Sequence, residues 1–159
     1  MNVPRILLAL NLILALALAG TLLAQPQEAL FGTWKTIVAK SKYSPEDAPK
    51  SAVNKYEVTT DGFRLTGDNV TATGAVQHAE VNAKFDGKNY PVKGNPDADM
   101  YAFKKINGRT YELVQMKGGK QTTTIRIVVA PDGKSRMNTV TAKNAKGQAV
   151  NDSVYSERQ

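Results

Sequence analysis

The sequence predicts an all-β fold, an antiparallel up-and-down barrel of about ten strands. Three observations lead there. Beyond residue 31, helical periodicity is nearly absent and apolar residues recur with period two. Glycine-bearing pairs punctuate the chain at Asp61-Gly62, Asp86-Gly87, Asn107-Gly108, Gly118-Gly119, Asp132-Gly133 and Lys146-Gly147. Asp-Gly and Asn-Gly suit type I′ turns, whose two central residues need positive φ. Between such pairs there is no room for crossover helices, so successive strands run antiparallel. A long meander exposes two unpaired edges unless its ends meet, and closure satisfies them.

The elements follow in order. Arg5 precedes the apolar run Ile6–Leu23, broken by Asn11, Gly20 and Thr21, and polar Gln25-Pro26 comes after it. This is the layout of a secretory leader, read as residues 1–24 with cleavage after Ala24, so export to a periplasm or beyond the cell is expected. Residues 25–159 then form a single domain. Gln27–Phe31 has room for one turn of helix. Strands are expected over Thr33–Ala39, Ala52–Thr60, Phe63–Thr71, Val76–Phe85, Lys88–Val92, Asp99–Ile106, Arg109–Met116, Gln121–Ala130, Ser135–Ala142 and Val150–Ser156. Alternation is plain in two of them: Tyr111 and Leu113 share one face, and Ile125, Ile127 and Val129 lie opposite Thr122, Thr124 and Arg126. The Lys40–Ser51 stretch holds Pro45 and Pro49, so it is a connection, expected to arch over one mouth.

Composition excludes several classes. With Cys 0 there is no disulfide, thiolate metal site, thiol nucleophile or lipid-modified cysteine. The net charge of +7 is spread along the chain, with Lys104-Lys105 the tightest pair in the domain. A phosphate-tracking stripe would need clustered charge with interleaved aromatics, so no nucleic-acid partner is expected. Nor is stable membrane insertion once the leader is removed.

The opening Gly32-Thr33-Trp34, set at the first strand of a meander, resembles the G-x-W start of the calycin group, which includes lipocalins and fatty-acid-binding proteins. The strand count, the tight hairpins and the near-terminal Val154-Tyr155 look closer to the fatty-acid-binding side. Ala39–Tyr43, Asp86–Val92 and Gly94–Asp99 look like exported bacterial lipocalin-like proteins. The resemblance implies a barrel end closed by Trp34 stacked on a late-strand arginine, with Arg126 or Arg158 as the partner. Two departures stand out. Lys40–Ser51 replaces the helix pair of fatty-acid-binding proteins, and Ser153-Val154-Tyr155 lacks the arginine of their Arg-x-Tyr, so that carboxylate site is not carried over.

Chemistry-bearing residues are few. His78 and Glu80 share a strand face, as a base and its orienting carboxylate would, or as a solvated outer face would. No nucleophile motif, phosphate loop or calcium loop is found. No catalytic residue, cofactor or metal is nominated, and an enzyme using the barrel interior stays an alternative. Arg126, with Thr122 and Thr124, forms an anion-binding rung if that face points inward. If Ile125, Ile127 and Val129 are the inward set, Arg126 is solvated. Tyr56, Phe63, Tyr111 and Tyr155 are candidate lining residues, or else core. The expected function is an exported barrel holding a small, partly apolar (hydrophobic or amphipathic) molecule. The alternative to it is a filled barrel serving as an envelope interaction or structural module.

Overall fold

The computed structural model describes residues 27–43, 48–143 and 147–159. The leader over Met1–Ala24, Pro45 in the Lys40–Ser51 connection and Lys146 of the last turn lie outside the described residues. Ten strands follow one another: β1 (Gly32–Thr36), β2 (Ser51–Thr59), β3 (Gly62–Val70), β4 (Val76–Ala83) and β5 (Asp86–Pro91). Then come β6 (Met100–Asn107), β7 (Thr110–Lys117), β8 (Lys120–Val129), β9 (Ser135–Lys143) and β10 (Ala149–Arg158). Tight turns form at or beside the Asp61-Gly62, Asn107-Gly108, Gly118-Gly119 and Asp132-Gly133 pairs, but Asp86-Gly87 is no hairpin turn: both residues open β5 at a bulge against β6, and β4 and β5 are the end strands of the sheet. Side-chain oxygens help to set these bends: Asn107 and Asp132 at two turns, and Asp86 at the β5 bulge, each accept the amide two residues on, from Arg109, Lys134 and Lys88 at 2.9–3.0 Å.

Every strand pairs with its sequence neighbour except across one seam. The order is β4-β3-β2-β1-β10-β9-β8-β7-β6-β5, so the first and last strands lie side by side. Trp34 stands opposite Arg158 and Thr36 opposite Ser156. The seam falls between β4 and β5. There Glu80 and Lys93 exchange two backbone hydrogen bonds of 2.9 Å, which draws the edges together into a nearly closed barrel.

The first strand is shorter than expected. It stops at Thr36, and Val38–Lys40 turns as a 3-10 segment instead of continuing to Ala39. The chain stays tied to β10 around this turn, because the Ile37 amide donates to Tyr155 and the Lys42 amide to Ser153. The last strand is longer than expected at both ends, by Ala149 and by Glu157-Arg158, and the latter pair carries Arg158 opposite Trp34.

Period-two alternation divides each strand between inside and outside, and the inside is itself divided. At the end where β1 begins and β10 finishes, large side chains fill the barrel. Phe63 stacks on Phe85 at 4.3 Å and meets the edge of Phe103 at 5.0 Å, while Phe85 packs on Tyr111 at 5.1 Å. Leu30 and Trp34 are fully buried there. Toward the other end, the inward positions of the same strands are Ala52, Asn54, Gly67, Asn69, Gln77 and Ala79, and this half is not filled.

Gly94 makes the seam possible. At φ +76° it takes a conformation glycine tolerates, and a β-carbon there would run into the His78 carbonyl oxygen. Gly94→Ala is therefore expected to lose more than about 1 kcal/mol of stability. Hydrogen exchange should speed up at the Glu80 and Lys93 amides while β8 and β9 keep their protection. Unchanged exchange at those two amides would show that the seam does not depend on this close approach.

Candidate functional site

The unfilled half is a cavity of about 670 Å³ opening at the mouth opposite the start of β1 and the end of β10. Five carboxamides reach it: Asn54 and Asn69 from β2 and β3, Gln77 from β4, Asn95 from the β5–β6 connection and Gln115 from β7. Ala52, Gly67 and Ala79 leave room between them. Gly67 is spaced by need, since a β-carbon there would press to 3.0 Å from the Asn54 amide oxygen. Charged groups (Asp68, Asp97 and Lys143) also border the cavity.

Hydrogen bonds hold much of this lining. The Asn69 amide donates to Gln77 Oε1 at 3.1 Å, and Asn95 Nδ2 donates to the Tyr101 hydroxyl at 2.6 Å. Asn95 Oδ1 in turn accepts the Asp97 amide at 2.8 Å, bending the β5–β6 connection over the mouth. Burial pushes the Tyr101 phenol above its ordinary pKa, with the Asn95 contact working against it. The Asn69 Oδ1 atom is buried without a partner. A bulge adds two hydroxyls: Gln115 pairs with Thr123 and Met116 with Gln121, so Thr122 is extra and both threonines border the cavity.

Beneath the cavity lies the closed end. Trp34, the cross-strand partner of Asn54, donates its indole N–H to the Leu30 carbonyl at 2.8 Å. The Arg158 guanidinium lies 4.3 Å from the Trp34 ring centre. It donates to the carbonyls of Gly133 at 2.7 Å and Ala29 at 2.8 Å, and also to that of Phe31. Glu28 finishes the plug by accepting from Tyr111 and Lys105, each at 2.8 Å. Burial, reinforced by that carboxylate, raises the Tyr111 pKa well above the ordinary phenol value.

A second arginine sits deeper. Arg136 is 1% exposed, with its guanidinium 5.0 Å from the Trp34 ring centre and 5.4 Å from that of Tyr56. Its Nε and Nη1 have no hydrogen-bond partner. Among the described residues no carboxylate lies within 4.0 Å of it. Burial lowers its pKa from the usual arginine value, nearby Tyr56 opposes this, and Arg158 adds to it. In the ladder Arg136 stands beside Ser156, whose hydroxyl lies 3.4 Å from that of Thr36, and both hydroxyls are buried.

The residues singled out from sequence do not gather at the cavity. Ile127 and Val129 point inward, so Arg126 is exposed on the outer face between Glu112 and Thr139, and the anion rung proposed for it does not form. Thr124 is outside with it, accepting from Gln121 Nε2 at 2.8 Å. Tyr155 also faces out, under the Lys40 ammonium at 5.0 Å. Tyr56, Phe63 and Tyr111 are buried in the filled half, around the closed end that Gly32 and Trp34 begin. His78 and Glu80 lie on the outer face with separate partners, Asp68 at 2.7 Å and Arg64 at 2.8 Å. Of the two arginines expected near Trp34, Arg158 is there and Arg126 is not.

Arg136 and the carboxamides were missed. A usable signal existed for the arginine: the Asp132-Gly133 turn sets Val129 opposite Arg136, so an inward Val129 brings Arg136 inward with it.

An all-β chain in a nearly closed ten-stranded meander, with one end plugged and one end open, is an antiparallel up-and-down β-barrel. No protein-family model matches the sequence. No curated protein matches it either. Among solved structures, an S-type phycobiliprotein lyase from Guillardia theta is similar, with 14% identity, a TM-score of 0.49, and coverage of 83% of this chain and 89% of that one.

Arg158 and Arg126 make a matched pair for testing. Arg158→Ala is expected to cost roughly 2–4 kcal/mol in denaturant unfolding, since charge-assisted hydrogen bonds are worth about 1.5–3 kcal/mol each and water replaces part of them. Arg126→Ala is expected to change stability by less than about 0.5 kcal/mol, as exposed substitutions do. Equal losses would contradict the assignment of Arg158 to the plug.

Proposed function

We propose that this chain is a small-molecule-binding barrel whose ligand occupies the carboxamide-lined mouth cavity. The observation that carries the reading is the division of the interior. One half is packed with interlocking aromatic rings, while the other keeps small residues and mostly neutral hydrogen-bonding groups, with Asp68, Asp97 and Lys143 at its border, around open space. Interiors that serve only stability are filled to near-crystalline density. A concave site of a few hundred cubic ångströms with a few placed polar groups is what a small ligand needs. The lining favours an amphipathic molecule that offers several hydroxyl, carbonyl or amide groups. The leader read over residues 1–24 supports export, so the barrel works in the periplasm or outside the cell. The strand count and tight hairpins support a place among calycins near the fatty-acid-binding side, with a different ligand chemistry.

Native mass spectrometry of the chain purified from its own source tests this. A retained small molecule is expected, and replacing Asn69 or Gln115 with Leu should weaken its capture about tenfold each, the worth of one hydrogen bond. A ligand-free barrel that no sugar, sugar acid or amphiphile stabilises against heat would sink the reading.

A further inference from the structure

We infer that Arg136, buried beside Trp34 beneath the residues that line the mouth cavity, is an anion-binding group, and that the ligand is a hydroxylated carboxylic acid with its carboxylate on this guanidinium. The hydroxylated part of the inference rests on the cavity reading above, whereas the anion site stands on its own geometry.

A guanidinium stays protonated at any physiological pH, so Arg136 brings a full charge into the barrel. Buried charges are normally paired, because taking an ion out of water costs several kcal/mol unless an opposite charge and hydrogen bonds replace the solvent. Arg136 has neither a carboxylate nor a partner for Nε and Nη1. A second cation, Arg158, shares the Trp34 ring with it and adds repulsion. A side-chain hydrogen bond with Tyr56 and the ring faces of Trp34 and Tyr56, the rings at about 0.5–2 kcal/mol each, compensate only in part.

The surroundings suit an oxyanion. Nε and one Nη of an arginine form the parallel fork that meets both oxygens of a carboxylate. The buried hydroxyls of Ser156 and Thr36 are the next groups along the β9–β10–β1 row and can donate. Two residues toward the mouth on the same inward face stands Asn138, itself with a buried, unpartnered amide oxygen. Asn54, part of the cavity wall, is the direct ladder partner of Trp34. Two residues along a strand span about 7 Å, the length of a short carbon chain. An acid of five or six carbons would therefore set its carboxylate on Arg136 and its hydroxyls among Asn54, Asn69, Gln77 and Gln115. The arrangement differs from an Arg-x-Tyr on the last strand: this arginine is on β9, and the last strand has Ser153 where that motif has arginine.

Trp34 is the only tryptophan of the chain, so its emission reports directly on the adjacent guanidinium. The full chain is titrated at constant ionic strength with acetate, gluconate and the neutral polyol sorbitol, following Trp34 fluorescence and calorimetry. Gluconate is expected to bind saturably, at least tenfold tighter than acetate or sorbitol, and to raise the melting temperature of the unmodified protein. Arg136→Met is expected to melt no lower than the parent and to bind gluconate no better than sorbitol. Acetate binding that depends on Arg136, with gluconate no tighter, would keep the anion site and overturn the hydroxylated-acid ligand. Equal binding of gluconate and sorbitol would overturn the anion site while leaving the cavity reading intact. No saturable response to any of the three, or gluconate binding that survives Arg136→Met, overturns the inference.

Discussion

The architecture depends on the ladder between the first and last strands. β1 is only five residues long, yet it is the strand to which β2 and β10 both attach, so the two halves of the meander are joined through it. Its hydrogen bonds alone would not hold so short a strand. What secures it is the cluster its side chains enter: Trp34 beneath the cavity floor, the Arg158 guanidinium against the ring, and the carbonyls of Ala29, Phe31 and Gly133 gathered around that guanidinium. One charged group thus ties the segment before β1, the β8–β9 turn and the end of β10. Closure here leaves the seam between β4 and β5, where one pair of backbone hydrogen bonds is enough because the rest of the sheet already curves.

The interior shows how one barrel separates stability from recognition. Aromatic burial at the closed end supplies the bulk of the apolar contact, and each ring there touches others at distances suited to stacked or edge contacts. The same strands, a few residues on, switch to alanine, glycine and carboxamides. A strand that alternates inside and outside can change the chemistry of its inward positions from one end to the other without changing fold. The two arginines lie at the junction. Arg158 is satisfied by carbonyls and belongs to the plug, while Arg136 is buried without them, an arrangement that stability alone does not favour.

Much of the fold was legible because its signals are local. Asp-Gly and Asn-Gly pairs specify turns through backbone φ and a side-chain bond two residues on, and both are properties of a tetrapeptide. Strand positions followed within a few residues. The misread end of β1 has a non-local cause: residues beyond Thr36 leave the sheet to turn while keeping bonds to β10, a strand more than a hundred residues away. The site was much less legible. Arg126 stands out in the sequence because it shares a strand face with Thr122 and Thr124, but alternation leaves open which face is inside. The apolar set Ile125, Ile127 and Val129 took the inside, as burial favours, and carried Arg136 in through the cross-strand pairing. The carboxamides of the cavity looked like ordinary polar positions, because they lie on five separate segments and become a group only when those segments curve around one space.

From sequence alone came the antiparallel meander, the tight turns, the tryptophan that closes one end and Arg158 as one of its two expected partners. The meander and its turns rest on period and turn chemistry, both encoded in neighbouring residues, whereas the roles of Trp34 and Arg158 were what the calycin resemblance of Gly32-Thr33-Trp34 implied. Tertiary structure alone decided which face of each strand turned inward, that one half of the barrel fills and the other stays open, and that an arginine is buried without an acid. Those outcomes depend on register summed around a closed sheet. A single strand carries its own alternation, but inside and outside exist only once the first strand has met the last.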